Sequence, residues 1–129
     1  KVICGGTSAE IIARELNLPL TVDLNSMGGD LPPMSRMPGI DLVTEGIFTL
    51  SRAAGYLEKG DHAKLDPAQQ LVELMRRHDI IEFVVGTRIN EAHQDPNLPI
   101  DLELRRNIIR RLETVLRDRY MKEVRITFV

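Results

Sequence analysis

A glycine pair near the start of the chain is the first feature whose residue types could bind a ligand. Cys4-Gly5-Gly6-Thr7-Ser8 stands between a short apolar run and a helical pattern, so the free N–H groups and the dipole of a helix start are predicted to converge there. Phosphate, sulfate or carboxylate can bind such a turn without a charged side chain. Gly6 is predicted to supply a positive φ, and Thr7 or Ser8 to cap the helix. An ordinary capped turn is the alternative, because the spacing matches neither a P-loop nor a dinucleotide fingerprint.

A second glycine turn follows an apolar strand pattern later in the chain. Its candidate ligand residues are Gly86, Thr87, Asn90 and His93. If residues 2–4 and 81–85 form parallel neighbouring strands, both glycine turns emerge at one edge of the sheet, where open α/β folds bind ligands. His93 can titrate near neutral pH and Asp95 can orient it, but no serine or cysteine is placed to complete a triad. Turn chemistry explains this loop equally well.

Thr44 and Glu45 complete the set of candidate ligand residues. Asp41 is predicted to cap a helix that runs to about Glu58, which puts Thr44 and Glu45 in its first turn. The helix dipole alone favours a carboxylate at that position, so helix capping is the alternative to a ligand contact.

The composition excludes several classes of protein. With 129 residues, 43% of them hydrophobic and 28% charged, the chain is predicted to be one globular domain, 1–129, and not a disordered segment. A single cysteine excludes a disulfide scaffold. The three histidines are not spaced as metal ligands, so we predict no bound metal. A net charge of −2 and 4% aromatic residues predict no nucleic-acid partner.

The apolar runs of the sequence predict where the protein is located. No apolar run reaches the roughly 20 residues of a membrane helix, and no signal-peptide pattern is present, so we predict a cytoplasmic protein. The chain begins at Lys1 inside an apolar strand pattern, which indicates a domain excised from a longer protein.

The elements that must position these residues alternate between strands and helices. We predict an α/β fold with a small mixed or parallel four-stranded sheet, in the order β-α-β-α-α-β-α-β. The predicted strands are 1–4, 20–24, 80–85 and 123–129; the later helices begin at caps Asp41, Asp66 and Asp101; and the two loops are 25–39 and 90–99. On the last helix, Arg106, Arg110 and Arg117 are predicted to share a solvated stripe whose charge reversal leaves folding nearly intact.

Several blocks of the sequence together resemble a known family. They are Val2–Ser8, Ile11–Leu16, Pro32-Pro33, Gly39–Gly46, Val85–Pro96 and Leu104–Arg106. They resemble the C-terminal segment of bacterial SpoIIE-like serine/threonine protein phosphatases, which act in signalling and sporulation. The resemblance implies a parent whose aspartate-rich core holds two divalent metals, Mn or Mg, and activates water for attack on phosphoserine or phosphothreonine. This chain lacks the Asp-Gly pairs of that core, so no catalytic residue transfers to it.

The resemblance therefore implies a non-catalytic domain whose partner is the phosphatase catalytic domain of the same chain. The leading hypothesis is a regulatory or ligand-binding domain that holds an anion or polar small molecule between the two glycine turns. A dimerisation or docking module without a ligand, including a homodimer, is the first alternative. A small enzyme with His93 and Glu45 as acid and base is the second.

Overall fold

The computed structural model describes residues 1–26, 30–60, 66–87 and 98–129, and they form a mixed α/β fold as the sequence predicts. The elements are β1 Val2–Cys4, α1 Gly6–Leu16, β2 Thr21–Val22, β3 Ser35–Arg36, β4 Leu42–Thr44, α2 Ile47–Lys59, α3 Pro67–Arg77, β5 Ile80–Val85, α4 Leu98–Tyr120 and β6 Glu123–Phe128. The chain forms two compact units, Lys1–Leu74 and Met75–Val129.

A four-stranded mixed sheet organises the first unit. Its strand order is β1-β4-β3-β2, with β1 parallel to β4 and the other two pairs antiparallel. Ile3 and Val43 are buried at the parallel pair and pack with Ala9 and Ala13 of α1 and with Met37. Because a parallel pair needs cover on its faces, α1 contributes small side chains that let it lie close to the sheet.

Strand β4 is the largest departure from the sequence prediction. The helix predicted from Asp41 begins only at Ile47, and Leu42–Thr44 forms a buried strand between β1 and β3. Asp41 caps no helix; its N–H donates to the Lys1 carbonyl at 2.8 Å. Val43 stands at helical spacing from the apolar residues of α2, so periodicity assigned a strand residue to the helix. Burial between two strands decides for β structure.

The predicted loop 25–39 also contains regular structure. Ser35 and Arg36 form β3, which pairs with Val22 and Thr21, so β2 covers only part of the predicted strand 20–24. The Asp23 N–H extends this ribbon by donating to the Met34 carbonyl at 2.8 Å. Proline and glycine content indicated a loop, but strand pairing over this distance leaves no local signal.

The end of α2 and the whole of α3 follow the sequence prediction closely. Gly60 ends α2 in the left-handed conformation, and the Asp66 carboxylate accepts the Gln69 N–H at 2.8 Å, which confirms Asp66 as the cap of α3. The Tyr56 hydroxyl also donates to Asp66. Leu57 and Val72 are completely buried. Side-chain capping and core packing therefore both hold this helix pair.

The second unit is a β5-α4-β6 crossover with a two-stranded parallel sheet. Helix α4 buries one apolar face made of Ile108, Ile109, Leu112, Val115 and Leu116. It begins at Leu98, so Asp101 lies in its first turn and is not the predicted cap. β5 spans the predicted residues, and β6 ends one residue earlier than predicted.

Two of the three arginines predicted to be solvated on α4 make contacts with other residues. The Arg117 guanidinium donates to the Val124 carbonyl at 2.6 Å and lies 3.6 Å from Glu113, while Arg106 lies over the Phe128 ring at 5.6 Å from its centroid. Two members of the predicted solvated stripe therefore tie α4 to β6, and reversing all three charges is expected to weaken the fold.

This gives a matched pair of charge reversals on one helix. We expect Arg117→Glu to lower the free energy of unfolding by about 1 to 2 kcal/mol, because a charge-assisted bond to a backbone carbonyl is lost. Arg110→Glu, on the same exposed stripe, is expected to change it by about 0.5 kcal/mol or less. Urea unfolding followed by circular dichroism measures both variants. Equal changes in the free energy of unfolding would contradict a stabilising role of the Arg117 contacts.

Candidate functional site

The carboxyl ends of β1 and β4 bring the first glycine turn beside Thr44 and Glu45. Cys4 is in register with Thr44, and the Gly5 N–H donates to the Thr44 carbonyl at 2.9 Å. Both strands then turn directly into helices, β1 into α1 and β4 into α2. We call this region, residues 4–8 and 44–46, the glycine junction.

Two glycine backbones lie against each other in the glycine junction. A Cβ on Gly46 would stand only 3.6 Å from the Gly5 Cα. Gly5 precedes α1 and Gly46 precedes α2, and neither helix has a side-chain cap at that position. Two helix N-termini therefore begin side by side at the end of a parallel strand pair, where their partial positive charges add.

The residues that follow Gly5 have different roles from those predicted. Gly5, with φ +132°, adopts the conformation that L side chains avoid, whereas Gly6 does not. Thr7 and Ser8 are not caps, because they already lie inside α1. The N–H groups of Gly6, Thr7 and Ser8 have no acceptor within the helix, and all three residues are exposed. The predicted anion-binding chemistry is thus available, although the predicted cap is wrong.

Thr44 and Glu45 reach the junction as the end of a strand and not as a first helical turn. Thr44 is 3% exposed, and its hydroxyl donates to the Glu45 carbonyl at 2.8 Å. The Glu45 carboxylate accepts the Phe48 N–H at 3.2 Å. This carboxylate offsets the positive end of α2, so the uncompensated N–H donors are those of α1.

The Cys4 thiol at the junction is not an activated nucleophile. Burial raises its pKa, the Glu45 charge raises it further, and a hydrogen bond with Thr44 opposes these effects. Because the thiolate is the reactive form, we expect Cys4 in the folded chain to react with Ellman's reagent at least about tenfold more slowly than in the urea-unfolded chain at neutral pH. Faster reaction in the folded chain would contradict this environment.

The second glycine turn is occupied by contacts within its own unit. The Thr87 N–H and hydroxyl both donate to the Val129 carbonyl, at 2.7 and 2.8 Å, and Arg105 donates to the Gly86 carbonyl at 2.8 Å. Asn90, His93 and Asp95 lie outside the described residues, so the enzyme alternative with His93 stays a prediction. The groups that Thr87 was expected to offer a ligand are already used.

The predicted joint site depended on β1 and β5 being parallel neighbours, and that premise is wrong. β1 pairs with β4 in the four-stranded sheet, while β5 pairs with β6 in a separate sheet. Among the described residues, no group of three or more histidine, cysteine, aspartate or glutamate side chains could hold a metal ion. Within the same residues, no helix has both the length and the apolar character needed to cross a membrane.

Comparison with protein-family models, with curated proteins and with solved structures finds no match to this chain.

Sequence reasoning missed one charged pair beside a pocket. The Arg36 guanidinium donates to the Asp23 carboxylate at 2.7 and 3.1 Å, and both residues line a pocket of about 450 Å³ at the start of β4. The two residues are 13 positions apart, and only the β2–β3 pairing brings them together. A basic residue following an acidic one across a hairpin was the available signal, but the hairpin itself was not predicted.

Proposed function

We propose that this chain is a regulatory, ligand-binding domain of a bacterial SpoIIE-type serine/threonine phosphatase, and that its glycine junction holds an anion or a polar small molecule. The observation that carries the ligand site is the pair of helix N-termini that begin side by side at the carboxyl ends of β1 and β4. The parent activity rests on the sequence resemblance alone.

The charges at the junction favour a particular kind of ligand. The exposed N–H groups of Gly6, Thr7 and Ser8 can receive an anionic oxygen atom. The Glu45 carboxylate, which lies at the start of the neighbouring helix, favours hydrogen-bond donors. A molecule with an anionic end and a donor group therefore fits better than a simple dianion.

Anion binding at α1 is tested with inorganic phosphate and acetate as probes. We expect either probe to shift the amide resonances of Gly6, Thr7 and Ser8 in a nuclear magnetic resonance titration. Thr7→Asp places a carboxylate at the same helix start and is expected to abolish these shifts while retaining the fold. Thr127→Asp, at a threonine of β6 that is also exposed, is the control. Unchanged amide shifts in the original chain would contradict the anion site.

The place in a phosphatase is tested separately. We expect the coding sequence upstream of Lys1 to encode an aspartate-rich phosphatase core. We also expect this domain alone to show no manganese-dependent hydrolysis of p-nitrophenyl phosphate, because two-metal hydrolysis needs a carboxylate cluster. Hydrolysis that survives purification and is lost on carboxylate substitution would overturn the assignment.

Docking through the second unit is the second candidate function, and the exposure of β5 favours it. Ile80 and Val84 are 49% and 65% exposed on one face of a two-stranded parallel sheet. Parallel sheets are normally covered on both faces, and two strands alone are marginally stable. The apolar run of β5 is therefore typical of a strand with a further neighbour.

The backbone of β5 shows which groups such a neighbour would bind. On the β6 side, the Asp79 carbonyl accepts the Glu123 N–H, the Val85 carbonyl accepts the Val129 N–H, and the Thr87 N–H donates to the Val129 carbonyl. Since peptide groups alternate in direction along a strand, Ile80, Glu82 and Val84 direct theirs to the other edge. In the described residues no strand pairs with that edge. We propose antiparallel pairing with β5 of a second copy, which builds a continuous four-stranded sheet.

Light scattering tests this docking function. The chain is expected to be a dimer, and Val84→Arg to make it a monomer. Thr127→Arg is the matched control, because Thr127 is directly opposite Val84 on β6 and lies one strand farther from the proposed contact. A monomeric original chain, or equal loss of the dimer in both variants, would contradict pairing through this edge.

A further inference from the structure

The pocket at the start of β4 is separate from the glycine junction, which lies at the end of the same strand. Its volume of about 450 Å³ is within the range of small-molecule sites. Met37 and Leu42, both buried, form apolar parts of the lining, and Ile40 adds to them. The pocket therefore offers an apolar surface together with the charged residues of the β2–β3 ribbon.

Arg36 is held in one orientation at this pocket. Its Nε and Nη2 both donate to one oxygen of Asp23, whose side chain is only 9% exposed and also accepts the Asn25 N–H at 3.1 Å. Hydrogen bonds from Arg36 hold the pKa of Asp23 below its usual value, so this pair stays ionised in mildly acidic solution. The Arg36 side chain is itself 75% exposed. Of its five N–H donors, two bind Asp23, which leaves three for a ligand.

A carboxylate lines the same pocket. The Asp41 side chain is 63% exposed, and a carboxylate accepts hydrogen bonds from an ammonium group. In the chain as it stands, the amino group of Lys1 is such a donor. A simple anion that approached Arg36 would be repelled by Asp41, and a simple cation that approached Asp41 would be repelled by Arg36. A molecule that carries both charges interacts favourably with both residues.

We propose that this pocket binds a small zwitterion, an amino acid with an apolar body, with its carboxylate on Arg36, its ammonium group on Asp41 and its carbon chain against Met37 and Ile40. Asp23 acts as a positioning residue, because it orients the guanidinium without contacting the ligand. The site uses other residues than the anion site of the proposed function, so either can fail without the other.

Calorimetric titration of the 129-residue chain tests the proposal with four probes. They are leucine, 6-aminohexanoate, hexanoate and hexylamine. The chain carries an N-terminal acetyl group so that the Lys1 amine does not compete for Asp41. We expect at least one of the two amino acids to bind, and hexanoate and hexylamine to bind about tenfold more weakly or worse, since each lacks one charge-assisted contact. Hexanoate or hexylamine binding as tightly as the amino acids would overturn the zwitterion, and so would no binding by either amino acid.

Matched variants identify the arginine that carries the binding. Arg36→Lys keeps the charge but loses the planar fork, so we expect affinity to fall about tenfold. Arg14 is the control, because it is equally exposed and donates through Nε and Nη2 to Glu15 but does not line the pocket. Arg14→Lys should leave affinity unchanged. Asp23→Asn should weaken amino acid binding less than Arg36→Lys does. It should also lower the ratio of the amino acid affinity to the hexylamine affinity. Equal effects at Arg14 and Arg36 would overturn the assignment.

Discussion

Gly5→Ala is expected to lower the free energy of unfolding by about 1 to 3 kcal/mol, the cost of forcing a side-chain-bearing residue into a sparsely populated backbone conformation. Gly5 has φ +132° and ψ 126°. A Cβ at this position would meet Ser8 Oγ at 3.5 Å, an ordinary contact distance. The cost therefore arises from the backbone conformation and not from a steric clash.

Gly6→Ala is the control for this prediction, since it makes the same chemical change one residue later. Gly6 lies in the first turn of α1, has no positive φ, and has no atom within 4 Å of an added Cβ. We expect this variant to be stabilised by about 0.4 to 1 kcal/mol, because alanine restricts the unfolded chain. Urea unfolding measures both variants. If Gly6→Ala is destabilised and Gly5→Ala is unaffected, then Gly6 and not Gly5 has the positive φ. That is the conformation that the sequence alone predicts.

Asp66→Ala is expected to lower the free energy of unfolding by about 2 kcal/mol, because one carboxylate serves three groups. It caps α3 through the Gln69 N–H, accepts the Tyr56 hydroxyl, and lies 3.9 Å from the Arg52 guanidinium. Asp101→Ala is the control. Both aspartates were predicted to be caps, but Asp101 lies within the first turn of α4, so only its interaction with the helix dipole is lost, about 0.5 kcal/mol. Equal losses at the two positions would contradict this distinction.

The same contact sets an alkaline limit on stability. Burial, and then the hydrogen bond to Asp66, raise the pKa of Tyr56 to about 12. A raised pKa means that the folded chain favours the protonated phenol. This contribution is complete below the unfolded pKa of about 10 and is lost as pH rises toward 12. Tyr56→Phe should therefore lose less stability than the original chain between about pH 10 and about pH 12. An identical pH dependence in the two proteins would contradict the contact.

The glycine junction shows how far the sequence leads toward a site. The turn from β1 into α1 was predicted from Gly5-Gly6, and its anion-binding chemistry follows from helix geometry alone. Thr44 and Glu45 were also selected, but on the basis of a helix that begins at Asp41. They lie beside the glycine turn because β4 pairs with β1 in register, and not because a helix begins at Asp41.

Local chemistry explains what the sequence determined by itself. The α/β class, strand β5 and the Asp66 cap of α3 all depend on residues within a few positions of each other. Periodicity and capping patterns report such local interactions directly. The interactions are the same in any fold that buries the apolar faces of these helices and strands. The class of fold, strand β5 and the start of α3 were therefore available before the structure.

Tertiary structure alone decided which strands are neighbours and which polar groups remain available. Val43 could continue a helix or form a strand, and only burial between β1 and β3 makes it a strand residue. Thr87 offers two donors in the sequence, but the Val129 carbonyl, 42 residues away, accepts both. Arg36 reaches Asp23 only across the β2–β3 pair. The physical reason is common to all three: strand pairing and hydrogen-bond competition join residues distant in the chain, and a local pattern does not depend on those distant partners.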